Sequence, residues 1–464
     1  MKKIFKVAIV VLFLIIFFTS CSKNNNTTQK AVIQTSPSKL MTSQKNSTQK
    51  TTSQKTTSQM MPSQTTLFQT SPSQTLPSLP AKTILSQTIT QTPTIIQYNN
   101  VAPGKVAIAG TVEVGSRIIV RGGVQEEQTN SHDKYFMITV NIDNPNMSEL
   151  KIYAKVNDKE ESQPAVISAK YNSSAKTIST VSIGNNYQLH FGSSTPDFLR
   201  NNLFSTSQIK QLVDTANDRA RWLKQDGRNA ELIYVIVPGP LTIYPESAPN
   251  ELTPQNNESR LEQFTKALKA SDVTVFNLKD LFMEHKNEQN LYYKTDSHWN
   301  EYAGYIAYKE LFDYIKVSYP AAAPRPLTDF ELSMQYTNGG DLLQYINFDK
   351  SQIRDYSVSL KPKFVYPLQF KKFDGDSLQL DARAIAPRFD IKNDNATLPK
   401  GVVFRCSYGT HIMDIMSDRF NRVVFDEMWQ YRFDRDLIQE VNPDYVIYIL
   451  AERNIFELLK DSYK

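Results

Sequence analysis

Leu232-Ile-Tyr-Val-Ile-Val237, Val402-Val-Phe404 and Tyr445-Val-Ile-Tyr-Ile-Leu450 are apolar runs without alternation. A strand that is apolar at every position is covered on both faces, the mark of a parallel sheet held between helices. Helical patterns separate these runs as that arrangement requires. Ile209, Leu212, Val213, Ala216, Ala220 and Leu223 share one face of a helix predicted over 205–225, and a second is predicted over 261–270. Val273-Thr-Val-Phe-Asn-Leu278 and Val423-Val-Phe425 complete the set of strands. The fold class is therefore α/β: a three-layer α/β/α domain with a mainly parallel sheet, placed at residues 185–464. Residues 316–400, rich in Phe and Tyr, interrupt the alternation and are expected to form an insertion, a lid or rim over the site.

The stretch before that domain has a different texture. Lys105-Val-Ala-Ile-Ala, Arg117-Ile-Ile-Val, Tyr135-Phe-Met-Ile-Thr-Val-Asn and Glu149-Leu-Lys-Ile-Tyr-Ala-Lys alternate or run apolar, with turn residues every ten or so positions. That rhythm predicts a small all-β sandwich of about seven strands at 101–184. Gly110 to Gly123 resembles bacterial immunoglobulin-like repeats, so the sandwich is expected to be Ig-like, a spacer more readily than a carbohydrate-binding unit. Residues 21–100 are built from Thr, Ser, Gln, Asn and Pro and hold too few apolar side chains to offset their ordering entropy. They read as a disordered tether; about 80 residues of flexible coil span about 50 Å.

Met1-Lys2-Lys3 followed by the apolar run Val7 to Phe18 has the layout of a signal peptide over 1–20, and the run is too short to span a bilayer comfortably. It resembles a bacterial lipoprotein signal, which implies lipid attachment at Cys21. The expectation is an exported chain, lipid-anchored on the outer face of the bacterial cell membrane.

Charge and cysteine content exclude several classes. The formal net charge is +5, but residues 1–100 hold ten Lys, no Arg and no acidic residue, so the rest of the chain is net negative. No basic stripe survives there for nucleic acid, and no nucleic-acid partner is expected. Two Cys, at 21 and 406, preclude a disulfide framework and a Cys-based zinc site. His132, His190 and His285 have no partner at metal-ligand spacing, so neither metal nor cofactor is expected.

Two short strings carry chemistry. In Lys294-Thr-Asp-Ser-His-Trp-Asn300, Asp296 and His298 are two apart, so in extended chain their side chains point the same way. A carboxylate there can accept from one ring nitrogen of His298 and leave the other free to take a proton. In Val403-Phe-Arg-Cys-Ser-Tyr-Gly409, a strand delivers Ser407 onto a sharp turn before a helix, where amides at the helix start can face an oxyanion. Together they make a Ser-His-Asp site.

Tyr292-Tyr-Lys-Thr-Asp-Ser-His-Trp-Asn300 resembles the signature of the alginate O-acetyltransferase family with SGNH-hydrolase-like domains: alginate acetylation proteins J and X and their Gram-positive Asp-His-His-Trp relatives. Ile236-Val-Pro-Gly-Pro-Leu-Thr-Ile-Tyr-Pro-Glu246, Gly340-Asp-Leu342 and Pro443-Asp-Tyr-Val-Ile-Tyr-Ile-Leu-Ala-Glu-Arg453 are similar to further stretches of that family, in order. The resemblance covers roughly residues 186–460. It implies an SGNH-hydrolase-like fold and a triad of Asp296, His298 and Ser407. It also implies an exopolysaccharide or wall glycan as acceptor and a membrane-bound O-acyltransferase as supplier of acetyl groups. The chain departs from the family at Cys406, where relatives have Asp before the nucleophile, and at Pro240-Leu241, where they often carry Lys.

Tyr408, Arg405, Trp299 and Tyr244 are the candidates for oxyanion or substrate contacts. Trp299 can stack on sugar or pack behind His298. His411, four residues past Ser407, could face it along the helix but reads more readily as a helix-surface residue; Cys406 reads as a buried thiol, and Glu452 with Arg453 as an ion pair closing the sheet. Two rivals to acetyl transfer share these residues: an SGNH-type carbohydrate acetyl esterase, and a catalytically silent glycan-binding lipoprotein.

Overall fold

The computed structural model describes residues 88–372, 388–427 and 433–460. The signal peptide, Cys21 and most of the tether lie outside the described residues. No described helix is long and apolar enough to cross a membrane.

Seven strands build the first part: β1 (Thr94–Ala102), β2 (Lys105–Thr111), β3 (Arg117–Arg121), β4 (Glu127–Asn130), β5 (Tyr135–Asn141), β6 (Ser148–Lys155) and β7 (Ala165–Ala169). They form two antiparallel sheets, ordered β1-β2-β5 and β4-β3-β6-β7. Ile108, Phe136 and Val140 of the first sheet meet Ile118, Leu150 and Ile152 of the second in one buried cluster. Alternation explains this core, since β6 buries Leu150, Ile152 and Ala154 and turns Glu149 and Lys151 outward. One boundary needs correcting. The reading that kept residues up to 100 in the tether is overturned by β1, whose Gln97, Asn99 and Asn100 look like tether but whose backbone pairs with β2 along its length. An edge strand held by main-chain hydrogen bonds needs no apolar signature.

The three-stranded sheet is covered on its other face too. Ala107, Ala109 and Met137 pack into a second buried cluster with Tyr187, Leu189, Leu342, Leu343 and Ile346. The first part is thus docked on the second through apolar side chains, where a loose spacer would leave that face wet. The boundary expected at 184 falls inside a hairpin of the second part, β8 (Val181–Ile183) with β9 (Leu189–Phe191).

The second part is built on a sheet of β10 (Glu231–Val237), β11 (Thr274–Asn277), β14 (Gln369–Lys372), β15 (Arg388–Lys392), β16 (Lys400–Arg405), β17 (Arg422–Glu427) and β18 (Tyr445–Ala451). Its order is β11-β10-β18-β16-β17-β15-β14. The first five are parallel, and β15 and β14 add antiparallel at one edge. Helices Thr206–Trp222, Arg260–Leu268 and Glu301–Ile315 bury their apolar faces in the same core as the sheet. The first two begin with capping boxes, at Ser205/Gln208 and Ser259/Glu262, which satisfy amides that a helix cannot bond itself. The described residues of 316–400 do not stand apart as one insertion. They supply a hairpin of exposed β12 (Phe330–Asn338) with partly buried β13 (Arg354–Pro362), the turn Asp341–Ile346, and the two sheet-edge strands. Polar, half-exposed strands give no continuous apolar run, which is why the alternation lapses there.

Candidate active site

β16 lies between β17 and β18, so its carboxyl end opens at the middle of the parallel sheet, where α/β domains place their sites. The strand stops at Arg405, Cys406 stays extended, and Ser407 begins a tight 3-10 turn over Ser407–Ile412. The turn's first hydrogen bond runs from the Gly409 amide to the Cys406 carbonyl at 3.0 Å. The amides of Ser407 and Tyr408 come before it and are free of intrahelical duty.

His298 arrives from a loop pinched at its base, where Tyr292 bridges Trp299 and the Asn300 amide donates to the Leu291 carbonyl at 3.0 Å. Asn300 then caps the helix Glu301–Ile315 by accepting from the Ala303 amide. Within the loop, Nδ1 of His298 lies 2.7 Å from Oδ1 of Asp296, and its Nε2 lies 2.8 Å from Oγ of Ser407. With Nδ1–H donating to the carboxylate, Nε2 accepts from the serine hydroxyl.

Asp296 is itself held. Its Oδ1 accepts the His298 amide at 3.0 Å and its Oδ2 accepts the Asp341 amide at 3.0 Å. Burial pushes the carboxyl up, but the His298 hydrogen bond and charge and the Asp341 amide outweigh it, leaving Asp296 below the usual carboxylate range. Asp341 accepts from the amide and hydroxyl of Ser297, and burial with the neighbouring Asp296 charge pushes it up. Asp355 accepts from the amides of Lys294 and Thr295 and the Thr295 hydroxyl, fixing the other end of the loop. Gly340 makes the approach possible, because a Cβ there would lie 2.4 Å from Cβ of Asp296.

Asp296, His298 and Asp341 are near enough to converge on one cation. Each carboxylate oxygen already accepts an N–H or O–H, however, and both imidazole nitrogens are engaged. The set is built for hydrogen bonds.

The remaining candidates sit apart from the reacting atoms. Trp299, expected to stack on sugar or to pack, is fully buried and donates Nε1–H to the Tyr408 carbonyl at 3.0 Å, so it packs behind His298. Tyr408 is fully buried as well; its hydroxyl donates to the Ser297 carbonyl at 2.7 Å and accepts from Arg453, so only its backbone amide remains for an oxyanion. Arg405 is fully buried, donates to the Thr410 hydroxyl at 2.8 Å and lies 3.4 Å from Glu427, so its side chain is committed beneath the turn. Tyr244 lines a different cleft. Glu452 accepts from the Gly239 amide and Thr242 hydroxyl, each at 2.7 Å, bracing the turn after β10.

His411, weighed from the sequence as facing Ser407 or as a surface residue, is exposed at the rim of the site. It lines the groove of about 270 Å³ with Tyr293, Asp296 and His298, its ring 5.4 Å from that of His298. Its place four residues after Ser407 is the spacing that raised it as a candidate. Gly340 and Asp341 were visible only through the resemblance, and Asp355 left no signal.

Residues 194–375 match the family model described as SGNH hydrolase-like domain, acetyltransferase AlgX. The match includes Asp296, His298, Gly340 and Asp341 and ends before Ser407. No curated protein matches the sequence. Among solved structures, PatB1 of Bacillus cereus is similar at 19% identity over 54% of this chain and 91% of that one, TM-score 0.44. A DHHW family protein from Eubacterium siraeum is similar at 12% identity over 68% and 96%, TM-score 0.42. The O-acetyltransferase domain of Pseudomonas putida AlgJ is similar at 15% identity over 60% and 92%, TM-score 0.37. Residues 194–375 thus match the SGNH hydrolase-like acetyltransferase family that the Asp-Ser-His-Trp block resembles.

Proposed function

We infer that this chain is an exported O-acetyltransferase that acylates a hydroxyl of an exopolysaccharide or cell-wall glycan through Ser407. The observation that carries the reading is the two-sided hydrogen bonding of His298, 2.7 Å from Asp296 and 2.8 Å from Ser407. In the first step His298 Nε2 takes the Ser407 proton as Oγ attacks the acetyl carbonyl carbon. The tetrahedral oxyanion faces the Ser407 and Tyr408 amides, an interaction commonly worth about 3–4 kcal/mol per donor. The carbonyl re-forms, the bond to the donor's leaving group breaks, and His298 returns its proton to that group. In the second step a glycan hydroxyl gives its proton to His298, attacks the acetyl-serine, and Ser407 leaves with the proton.

In this reading Cys21 carries the lipid, the tether holds the head off the membrane, the β-sandwich is Ig-like, and a membrane-bound O-acyltransferase supplies acetyl groups. A second reading, acetyl esterase, is favoured by the openness of the groove: about a fifth of the His298 side chain is exposed, so water can reach the acyl-enzyme. Incubation with an activated acetyl ester and soluble glycan oligomers, following acetyl-glycan against free acetate, tests the proposal. Acetyl-glycan that disappears with Ser407→Ala supports it; acetate alone moves the assignment to esterase.

A further inference from the structure

A second cleft of about 550 Å³ lies where the β-sandwich meets the α/β part, and none of Asp296, His298 or Ser407 lines it. Its size falls within the range of roughly 300–1,000 Å³ that holds small ligands. Val114, His132 and Asp133 of the sandwich form one wall; the other includes Tyr244, Lys294 and Tyr336. Four side-chain amides and four tyrosines line the cleft, against one aliphatic residue. A planar amide offers a donor and an acceptor side by side, and a tyrosine offers an apolar face with a polar tip, a pairing suited to a polyol ring.

Lys294 gives the cleft an open donor. Its backbone is fixed by Asp355, and its ammonium has no hydrogen-bond acceptor among the described residues. Burial pushes its pKa down, with Asp355, Asp133 and Glu246 acting the other way through space. Lys294 is half-buried and its ammonium is open to the cleft, so a ligand oxygen can take the place of water there. The other cleft lysine is engaged: Lys286 donates to the Ile243 carbonyl at 2.6 Å and lies 3.3 Å from Glu246. Charges of both signs therefore face the space, which suits a neutral chain of hydroxyls better than a polyanion. Tyr336 closes one end by donating to Asp133 at 2.7 Å, a bond that needs both parts of the molecule.

We propose that this interdomain cleft binds a neutral oligosaccharide segment, with Lys294 taking a sugar oxygen and Tyr336 a ring face. The inference rests on the glycan reading for the kind of polymer, but binding at the cleft needs no acetyl transfer. The test uses the full chain carrying Ser407→Ala, titrated with chitotetraose, cellotetraose and mannotetraose, with hydrogen exchange to locate the ligand. Expected is binding by at least one, protecting peptides across 286–294 and 335–337, and weakened about tenfold or more by Lys294→Met and by Tyr336→Ala, each still folded by circular dichroism. Tyr336→Ala lies on the exposed strand β12 and keeps the test decisive if Lys294→Met does not fold. No binding, protection confined to 405–412, or preference for an oligogalacturonate over all three overturns the proposal. Loss of acetyl transfer with cleft binding intact would sink the proposed function alone; acetyl transfer without cleft binding would sink this inference alone.

Discussion

The Asp341 amide donates to Oδ2 of Asp296 at 3.0 Å, on the oxygen opposite the one that holds His298. The carboxylate that orients the imidazole is therefore itself aimed by a turn 45 residues further along the chain.

Gly340 allows that turn to close on the loop. Gly340→Ala would drive a Cβ to within 2.4 Å of Cβ of Asp296 and within 2.7 Å of its backbone nitrogen, so the Asp296 backbone must move. Displacing a catalytic group by about 1 Å costs on the order of 10²-fold in rate. The expected outcome is a loss of that size in kcat for acetyl ester turnover, with KM changed little, measured by steady-state kinetics.

The sandwich stabilises the same turn from behind. Met137 is fully buried in the cluster that includes Leu342 and Leu343, the residues next to Asp341. Met137→Ala should cost about 2–5 kcal/mol of stability. A denaturant melt followed by probes in each part should show the α/β part loosening along with the sandwich, since the cluster is shared.

Glu452 predicts a pH effect. Its carboxyl is fully buried and pushed up to about 7, by burial first and the Asp197 charge second, against the Gly239 amide and Thr242 hydroxyl. The ordinary value is 4.5, so between about 4.5 and 7 the folded chain holds a proton that the unfolded chain has released. Stability from this group is fully present below that window and falls as pH rises through it. Glu452→Gln should flatten this part of the stability-against-pH curve, as read by thermal melts across the range.

The parallel sheet was legible because a strand covered on both faces runs apolar, as β10 does after Glu231 and β18 does. β1 was not, because its ladder to β2 is main-chain bonding that Gln97 and Asn99 do not advertise. The meeting of Asp296 with His298 was legible in a two-residue spacing. Ser407 was legible as a strand-end serine before a turn, though its pairing with His298 spans 109 residues. Asp355 was not, because its partners lie about 60 residues earlier and no local pattern marks a carboxylate that caps a distant loop. Arg405 was misjudged because side-chain type suggests contact with an oxyanion, while burial is decided by neighbours such as Glu427; the two readings of Trp299 were separated only by its burial against Tyr408.

The most direct test is where the acyl group goes. The chain is mixed with an activated acetyl ester, quenched in acid within the first turnover, digested and examined by mass spectrometry. One acetyl group on the peptide carrying Ser407 is predicted, lost with Ser407→Ala and with His298→Ala and retained with Cys406→Ala. Acetyl on Cys406 or on another residue, or none in a chain that still turns over the ester, would contradict the account.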